Sequence, residues 1–167
     1  ETRGLLAEWD AARGRLTISG LMKVPFAIRA LLAKLMDLPE QAIEAIESDC
    51  GSGFGMRGEF YPEDFLIPFA ARRLGRPVKW IEDRREHLLA TTHAREVECD
   101  LEIACQRDGV ILALRGRAWT DMGAYIRPNA VTAPRNTAQM ISGPYRIEHM
   151  HMDVSMVLSN KTPAGSY

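Results

Sequence analysis

The sequence has few cysteines, almost no net charge and no long apolar run, and each shortage excludes a class of protein. Its three cysteines form no Cys-x-x-Cys pair and cannot all pair within one chain, which favours a reducing compartment. A formal net charge of −1 gives no reason to expect a nucleic acid or an anionic membrane as partner. The longest apolar runs fall far short of the ~20 residues that a membrane span needs. We therefore expect a cytoplasmic protein without a membrane span.

The composition that remains is that of an ordinary globular domain. With 167 residues, 46% of them apolar and 26% charged, the chain is long enough to bury a substantial core. It starts at Glu1 rather than Met and ends in the turn-like segment Pro163–Tyr167, so we expect an internal piece of a longer chain. We predict a single fragment over residues 1–167, with an irregular stretch at 123–143 that lacks periodic apolar residues.

Hydrophobic periodicity alone predicts an α/β or α+β domain; together with the family resemblance described below, we expect α+β, a mixed β-sheet with two main helices. The first helix starts near Pro25 and carries an apolar stripe with the spacing i, i+3, i+4 and i+7, formed by Ile28, Leu31, Leu32 and Leu35. The second starts near Pro62 and ends at Gly75. A strand, a helix and a further strand in succession predict a parallel pair. Predicted strands cover residues 4–10, 15–20, 43–48, 76–82, 96–105, 110–118 and 149–158.

One stretch stands out, the glycine loop Gly51–Gly58, with four glycines in eight residues between a predicted strand and a predicted helix. Glycine lacks a Cβ atom, so the backbone can adopt positive φ and approach another group closely. Such a loop can direct several N–H groups at an anion or an oxo ligand. The alternative is a structural scaffold in which the loop is only a tight turn.

A second alternative is a dinucleotide-binding oxidoreductase, because Gly53–Gly58 matches the pattern Gly-x-Gly-x-x-Gly and the acidic residues Glu82 and Asp83 follow. Two details disfavour it. The last glycine of that pattern should run into the helix, whereas Pro62 marks a later start. The acidic pair also follows after about thirty residues rather than about 20.

Other reactive side chains suggest structural roles. His149 and His151 share one face of a predicted strand, with Asp153 beyond, but no third ligand has a suitable spacing, so we predict no metal site.

The cysteines and the remaining histidine of interest also have simple interpretations. Cys99 and Cys105 are predicted to be small core residues, and Cys50 is predicted to be buried. His87 follows a run of charged residues and is predicted to be solvated.

Several blocks of the chain, in order, resemble one protein family. These blocks are Glu1–Glu8, Asp49–Arg57, Tyr61–Asp64, Arg76–His87, His93–Arg95, Asp108–Gly109, Asp121–Tyr125 and Gly143–Tyr145. The family they resemble is that of the molybdenum hydroxylases, in the molybdopterin-binding large subunit shared by xanthine dehydrogenase, aldehyde oxidase and aerobic carbon monoxide dehydrogenase. The resemblance covers essentially the whole chain, and the sequences of these blocks are most similar to those of bacterial carbon monoxide dehydrogenase-like subunits.

This resemblance implies part of an oxidoreductase that hydroxylates a carbon centre, or oxidises carbon monoxide, with oxygen drawn from water. The implied cofactor is molybdenum–molybdopterin in its cytosine dinucleotide form, with iron–sulfur clusters and FAD on partner domains or subunits. Implied partners are the rest of the large subunit, the iron–sulfur and FAD subunits, and a small-molecule substrate. Alone, the fragment is expected to be inactive and to bind no cofactor.

The resemblance also assigns the glycine loop a role. In the family, a Gly-Gly-x-Phe-Gly loop offers backbone N–H groups to the oxo face of the metal, which by position corresponds to Gly51, Gly53, Phe54 and Gly55. The catalytic Glu of the family lies outside this chain, so we predict neither a catalytic residue nor a metal ligand here.

Four positions depart from the family pattern. Ser52 stands where Gly is usual, and Arg57 where Lys is common. Gly58 replaces a Glu that purine-oxidising members use for substrate, and His151 falls near the place of a substrate-binding Arg. The last two departures argue against a purine substrate.

Overall fold

The computed structural model describes residues 2–49, 51–94 and 96–166. Their contacts divide the chain into two compact units, Glu1–Thr91 and Thr92–Tyr167. Each unit contains a sheet with both parallel and antiparallel strands, which confirms the α+β class. The described residues form two such sheets and four α-helices, where the sequence predicted one sheet and two main helices.

The first unit contains four strands and three helices. They are β1 (Gly4–Asp10), β2 (Arg15–Gly20), α1 (Pro25–Met36), β3 (Ile43–Glu47), α2 (Pro62–Leu74), β4 (Val78–Ile81) and α3 (Arg84–Ala90). The strand order is β3-β2-β1-β4; β1 is antiparallel to both β2 and β4, and β2 is parallel to β3. The predicted parallel pair is therefore confirmed.

The core of this unit lies between the sheet and the helices α1 and α2. Leu16 and Ile18 from β2 and Leu32 from α1 have no exposed surface, and burying each such side chain favours folding by about 1.5–3 kcal/mol. The predicted helical stripe is only half right, because Leu31 and Leu35 are 37% and 49% exposed while Ala33 and Met36 are buried. The buried stripe of α1 is therefore rotated around the helix axis relative to the predicted stripe, so that it includes Ala33 and Met36.

The second unit contains β5 (Val97–Cys105), β6 (Ile111–Asp121), α4 (Thr132–Met140) and β7 (His149–Val157). The central strand β6 is antiparallel to β5 and parallel to β7. The predicted hairpin between β5 and β6 is confirmed, and Gly109 in its Asp-Gly turn has φ = 92°.

Two helices were missed by the sequence prediction. The stretch 123–143, predicted to be irregular, contains α4, whose polar residues carry little apolar periodicity and whose Pro134 lies in the first turn, where proline is tolerated. The segment predicted to be merely polar forms α3. It begins with a capping box in which Asp83 accepts from the Glu86 amide at 2.8 Å and Glu86 accepts from the Asp83 amide at 3.0 Å.

The prediction that Cys99 and Cys105 are core residues is wrong, since both thiols are exposed. Their neighbours on the same face of β5, Leu101 and Ile103, are also 50% and 58% exposed. Both faces of β5 are largely exposed, because α4 packs against β6 and β7 instead. Cys50 lies outside the described residues.

Within the described ranges, every helix is too short or too polar to span a lipid bilayer.

Candidate functional site

The glycine loop lies in the first unit, between β3 and α2, and its tip has an unusual backbone. Phe54 has φ = 48° and Gly55 has φ = 80°, so two consecutive residues adopt the left-handed half of conformational space. Glycine tolerates this conformation, whereas a side-chain-bearing residue there is strained by roughly 1–2 kcal/mol. The chain continues through a short 3₁₀ turn, Met56–Gly58, before α2 begins at Pro62.

Gly53 is closely approached by another part of the chain. A Cβ atom at this position would lie 3.2 Å from Cγ and 3.3 Å from Cδ of Lys23. The aliphatic part of Lys23 therefore lies directly against the loop backbone. Lys23 precedes the loop by about thirty residues in the sequence, and no spacing rule indicated this contact.

The opposite side of the loop is held by Arg57, which is only 3% exposed. Its Nη1 donates to the carbonyl of Ser52, and its Nη2 donates to the carbonyl of Thr2 at 3.3 Å. Its own amide donates to the carbonyl of Gly53 at 3.1 Å. In the sequence, Arg57 is notable only as a departure from a common Lys; its central position in the loop was not predicted.

Next to Thr2 begins a buried cluster of charges. Arg3 donates to Glu82 through Nη2 at 2.6 Å, Nε at 3.0 Å and its backbone amide at 2.9 Å. It also contacts Glu63 at 3.2 Å, and its guanidinium carbon lies 4.0 Å from the centre of the Tyr61 ring. His87 Nδ1 lies 2.8 Å from Glu82, so the prediction that His87 is solvated is wrong.

Burial and pairing act in opposite directions on this cluster. Burial alone raises the pKa of Glu82, but hydrogen bonds from Arg3 and His87 outweigh it and hold the pKa below its ordinary value of 4.5. Burial likewise lowers the pKa of Arg3, and the contact with Glu82 reverses the effect. Both groups are therefore charged at neutral pH. The cluster links the start of β1 to the end of β4, and we interpret its role as structural.

The predicted cofactor-binding residues can now be placed. Gly51 and Phe54 are exposed, Gly55 is half-buried, and Gly53 is buried beneath Lys23. The Phe54 amide has a long contact of 3.4 Å with Ser52 Oγ. Among the described residues, the Gly55 amide donates no hydrogen bond within the chain. An exposed tip with an available N–H group fits a ligand that presents oxygen acceptors, such as a metal-oxo group or a phosphate.

Other candidate sites have less support. His151 Nε2 lies 3.4 Å from Asp153 Oδ1, and both side chains are more than 60% exposed. In the described part of the chain, no three His, Cys, Asp or Glu side chains are arranged to hold a metal ion. The dinucleotide alternative is also disfavoured, because the helix starts four residues after Gly58 and the neighbouring sheet contains antiparallel pairs.

Comparisons with known proteins agree with these features. Residues 1–167 match the sequence model of one family, described as the molybdopterin cofactor-binding domain. The chain is 37% identical over 167 residues to 6-hydroxypseudooxynicotine dehydrogenase complex subunit gamma of Paenarthrobacter nicotinovorans, covering 100% of this chain and 21% of that protein. It is 36% identical over 166 residues to the carbon monoxide dehydrogenase large chain of Hydrogenophaga pseudoflava, covering 99% of this chain and 21% of that protein.

A solved structure shows the same fold. Quinoline 2-oxidoreductase from Pseudomonas putida 86 superposes with a TM-score of 0.96 at 34% identity, covering 100% of this chain and 22% of that one. The chain thus spans about a fifth of the length of the relatives that it matches.

Proposed function

The chain belongs to the molybdopterin cofactor-binding domain family, and from this premise we propose that its glycine loop forms one side of a molybdenum-cofactor site in a larger oxidoreductase subunit. Residues 1–167 are then one fragment of the cofactor-binding domain, inactive alone. The observation that carries the proposal is the positive-φ pair of the exposed Phe54 and the half-buried Gly55, whose amide donates no hydrogen bond within the described part of the chain.

The residues of the loop have two different roles in this proposal. Gly51, Gly53 and Gly55 allow the backbone to approach the ligand closely, and Phe54 and Gly55 present N–H groups at the tip. Fixed N–H dipoles stabilise negative charge on an oxygen ligand without reorganising. When bound, the molybdenum cofactor supplies the two-electron oxidation that hydroxylates a carbon centre, or oxidises carbon monoxide, with oxygen derived from water.

The remaining expectations extend this proposal to the whole enzyme. The cofactor is in the cytosine dinucleotide form, and partner subunits or domains carry iron–sulfur clusters and FAD in the cytoplasm. The names of two relatives, a carbon monoxide dehydrogenase and a quinoline 2-oxidoreductase, support carbon monoxide and aromatic N-heterocycles as the first substrates to test. Gly58 stands where purine-oxidising members use Glu, and His151 lies near the place of their substrate-binding Arg; both departures support a substrate other than a purine.

The test compares two glycines that both have positive φ. Gly55 has φ = 80° at the loop tip, and Gly75 has φ = 64° at the C-terminal cap of α2, where an added methyl group would meet no atom within 4 Å. In the full-length subunit with its partners, Gly55→Ala and Gly75→Ala each place a Cβ atom at a positive-φ position, and for the αL residue Gly75 the strain is roughly 1–2 kcal/mol. We expect Gly55→Ala alone to lower molybdenum content and turnover, measured by metal analysis and substrate-dependent dye reduction. Full molybdenum content and turnover in Gly55→Ala would contradict the proposal.

A further inference from the structure

Arg57 is the single charged residue of the glycine loop, and it is buried. Arginine is seldom fully buried unless its charge and donors are satisfied, and here the side chain is 3% exposed. A small neutral polar residue would avoid the cost of desolvating a charged group. The burial of Arg57 therefore indicates that its hydrogen bonds compensate for the cost of desolvation.

Those contacts link three separate pieces of backbone. One arm of the guanidinium donates to the carbonyl of Ser52, inside the loop, and the other donates at 3.3 Å to the carbonyl of Thr2, just before β1. The backbone of Arg57 donates at 3.1 Å to Gly53 and accepts at 3.3 Å from the amide of Lys23. One residue thus closes the loop on itself and fixes it to the N-terminal segment and to the segment before α1.

The same guanidinium lies beneath the strained part of the loop. Its central carbon is 5.7 Å from the centre of the Phe54 ring, within the range of a cation–π contact. Phe54, with φ = 48°, is a phenylalanine in a conformation that favours glycine. Such a conformation persists only when the surrounding structure enforces it.

We infer that Arg57 is the positioning residue of this site: it holds the Phe54–Gly55 tip in its left-handed conformation by tying Ser52 and Thr2 together beneath it. Its hold on the loop follows from the contacts above, whereas its effect on the cofactor rests on the proposed function. Arg57 acts on the tip through the carbonyl of Ser52 and the ring of Phe54.

The arrangement also explains why the residue is arginine. Guanidinium is a planar fork whose arms donate in two fixed directions, and its flat face stacks on an aromatic ring. An ammonium group keeps the charge but loses the fork and the flat face. Lysine at this position is thus expected to satisfy one carbonyl well and to leave the tip less constrained.

The experiment uses the full-length subunit in its complex, with Arg57→Lys as the main variant and Arg57→Met as a second. Arg72→Lys is the matched control, since Arg72 also donates to a backbone carbonyl, that of Met36 at 2.8 Å, and also lies over an aromatic ring, that of Trp9 at 4.9 Å. The first readout is hydrogen exchange of the amides of Arg57 and Lys23, whose hydrogen bonds close the loop. The second is the molybdenum(V) electron paramagnetic resonance spectrum, with kcat and KM for substrate.

We expect exchange of these two amides to accelerate about tenfold in Arg57→Lys, because a hydrogen bond to a charged donor is lost, and to stay unchanged in Arg72→Lys. In Arg57→Lys, the molybdenum(V) spectrum should shift and kcat should fall, while KM should stay unchanged. Unchanged exchange in Arg57→Lys and Arg57→Met would overturn the inference. Faster exchange with an unaltered spectrum and kcat would instead support the role of Arg57 in holding the loop and overturn the proposed function.

Discussion

The buried pair of Arg3 and Glu82 allows a quantitative prediction about the stability of the first unit. The side chain of Glu82 has no exposed surface, and that of Arg3 is 8% exposed. Glu82→Gln keeps the shape but removes the negative charge. Removing one partner of a buried ion pair costs about 3–5 kcal/mol, because the remaining charge stays buried and uncompensated. Arg3 retains its contact with Glu63 at 3.2 Å, so we expect the lower end, about 3 kcal/mol.

The assay is urea unfolding of the 167-residue chain in a Trp119→Phe background, followed by the fluorescence of the two remaining tryptophans, Trp9 and Trp80, which lie in the first unit. With a slope of about 2 kcal/mol per molar urea, a loss of about 3 kcal/mol lowers the midpoint by roughly 1.5 M. The control is Glu44→Gln in the same unit, which breaks the exposed pair with Arg15 at 3.1 Å. That variant is expected to lose less than about 1 kcal/mol. Equal losses of unfolding free energy in Glu82→Gln and Glu44→Gln would refute the argument that burial increases the energetic cost of breaking the pair of Arg3 and Glu82.

Two further predictions follow from the charges and the thiols. Because the folded-state pKa of Glu82 lies below 4.5, its pairing stabilises the fold above that pH and the stabilisation is lost as pH falls through the lowered pKa. The stability difference between wild type and Glu82→Gln should therefore shrink from pH 7 to pH 3 in the same urea assay, and a constant difference would contradict the assignment. Cys99 and Cys105 are exposed on β5, so both should react with a thiol reagent in the native chain; protection of both, monitored by mass spectrometry, would show that this strand is covered.

The sequence predicted the elements whose ends carry strong local signals. Pro25 and Pro62 lie in the first turns of α1 and α2, and Gly75 caps α2 with φ = 64°, so both helices were placed correctly. The Asp-Gly turn likewise placed the hairpin of β5 and β6. These signals act between residues that are close in the chain, and periodicity or a single residue type is enough to detect them.

The features that were missed depend on contacts between distant parts of the chain. Arg3 and Glu82 are 79 residues apart, and no spacing rule connects them. Exposure of β5 follows from the position of α4, which packs against β6 and β7, and alternation along one strand does not reveal where a distant helix packs. The helix α3 is different, because its capping box of Asp83 and Glu86 was visible in the sequence as an acidic residue followed three positions later by Glu.

The glycine loop shows most clearly what residue type alone determines. Glycines permit positive φ, yet they also permit many other conformations and so increase the entropy that must be lost on folding. Four glycines in eight residues therefore allow the observed tip without enforcing it. Phe54 at φ = 48° makes the point sharper, since its own preference opposes the conformation. The loop geometry must be imposed by side-chain contacts, and the buried guanidinium of Arg57 supplies two of them, one to Ser52 within the loop and one to Thr2 outside it.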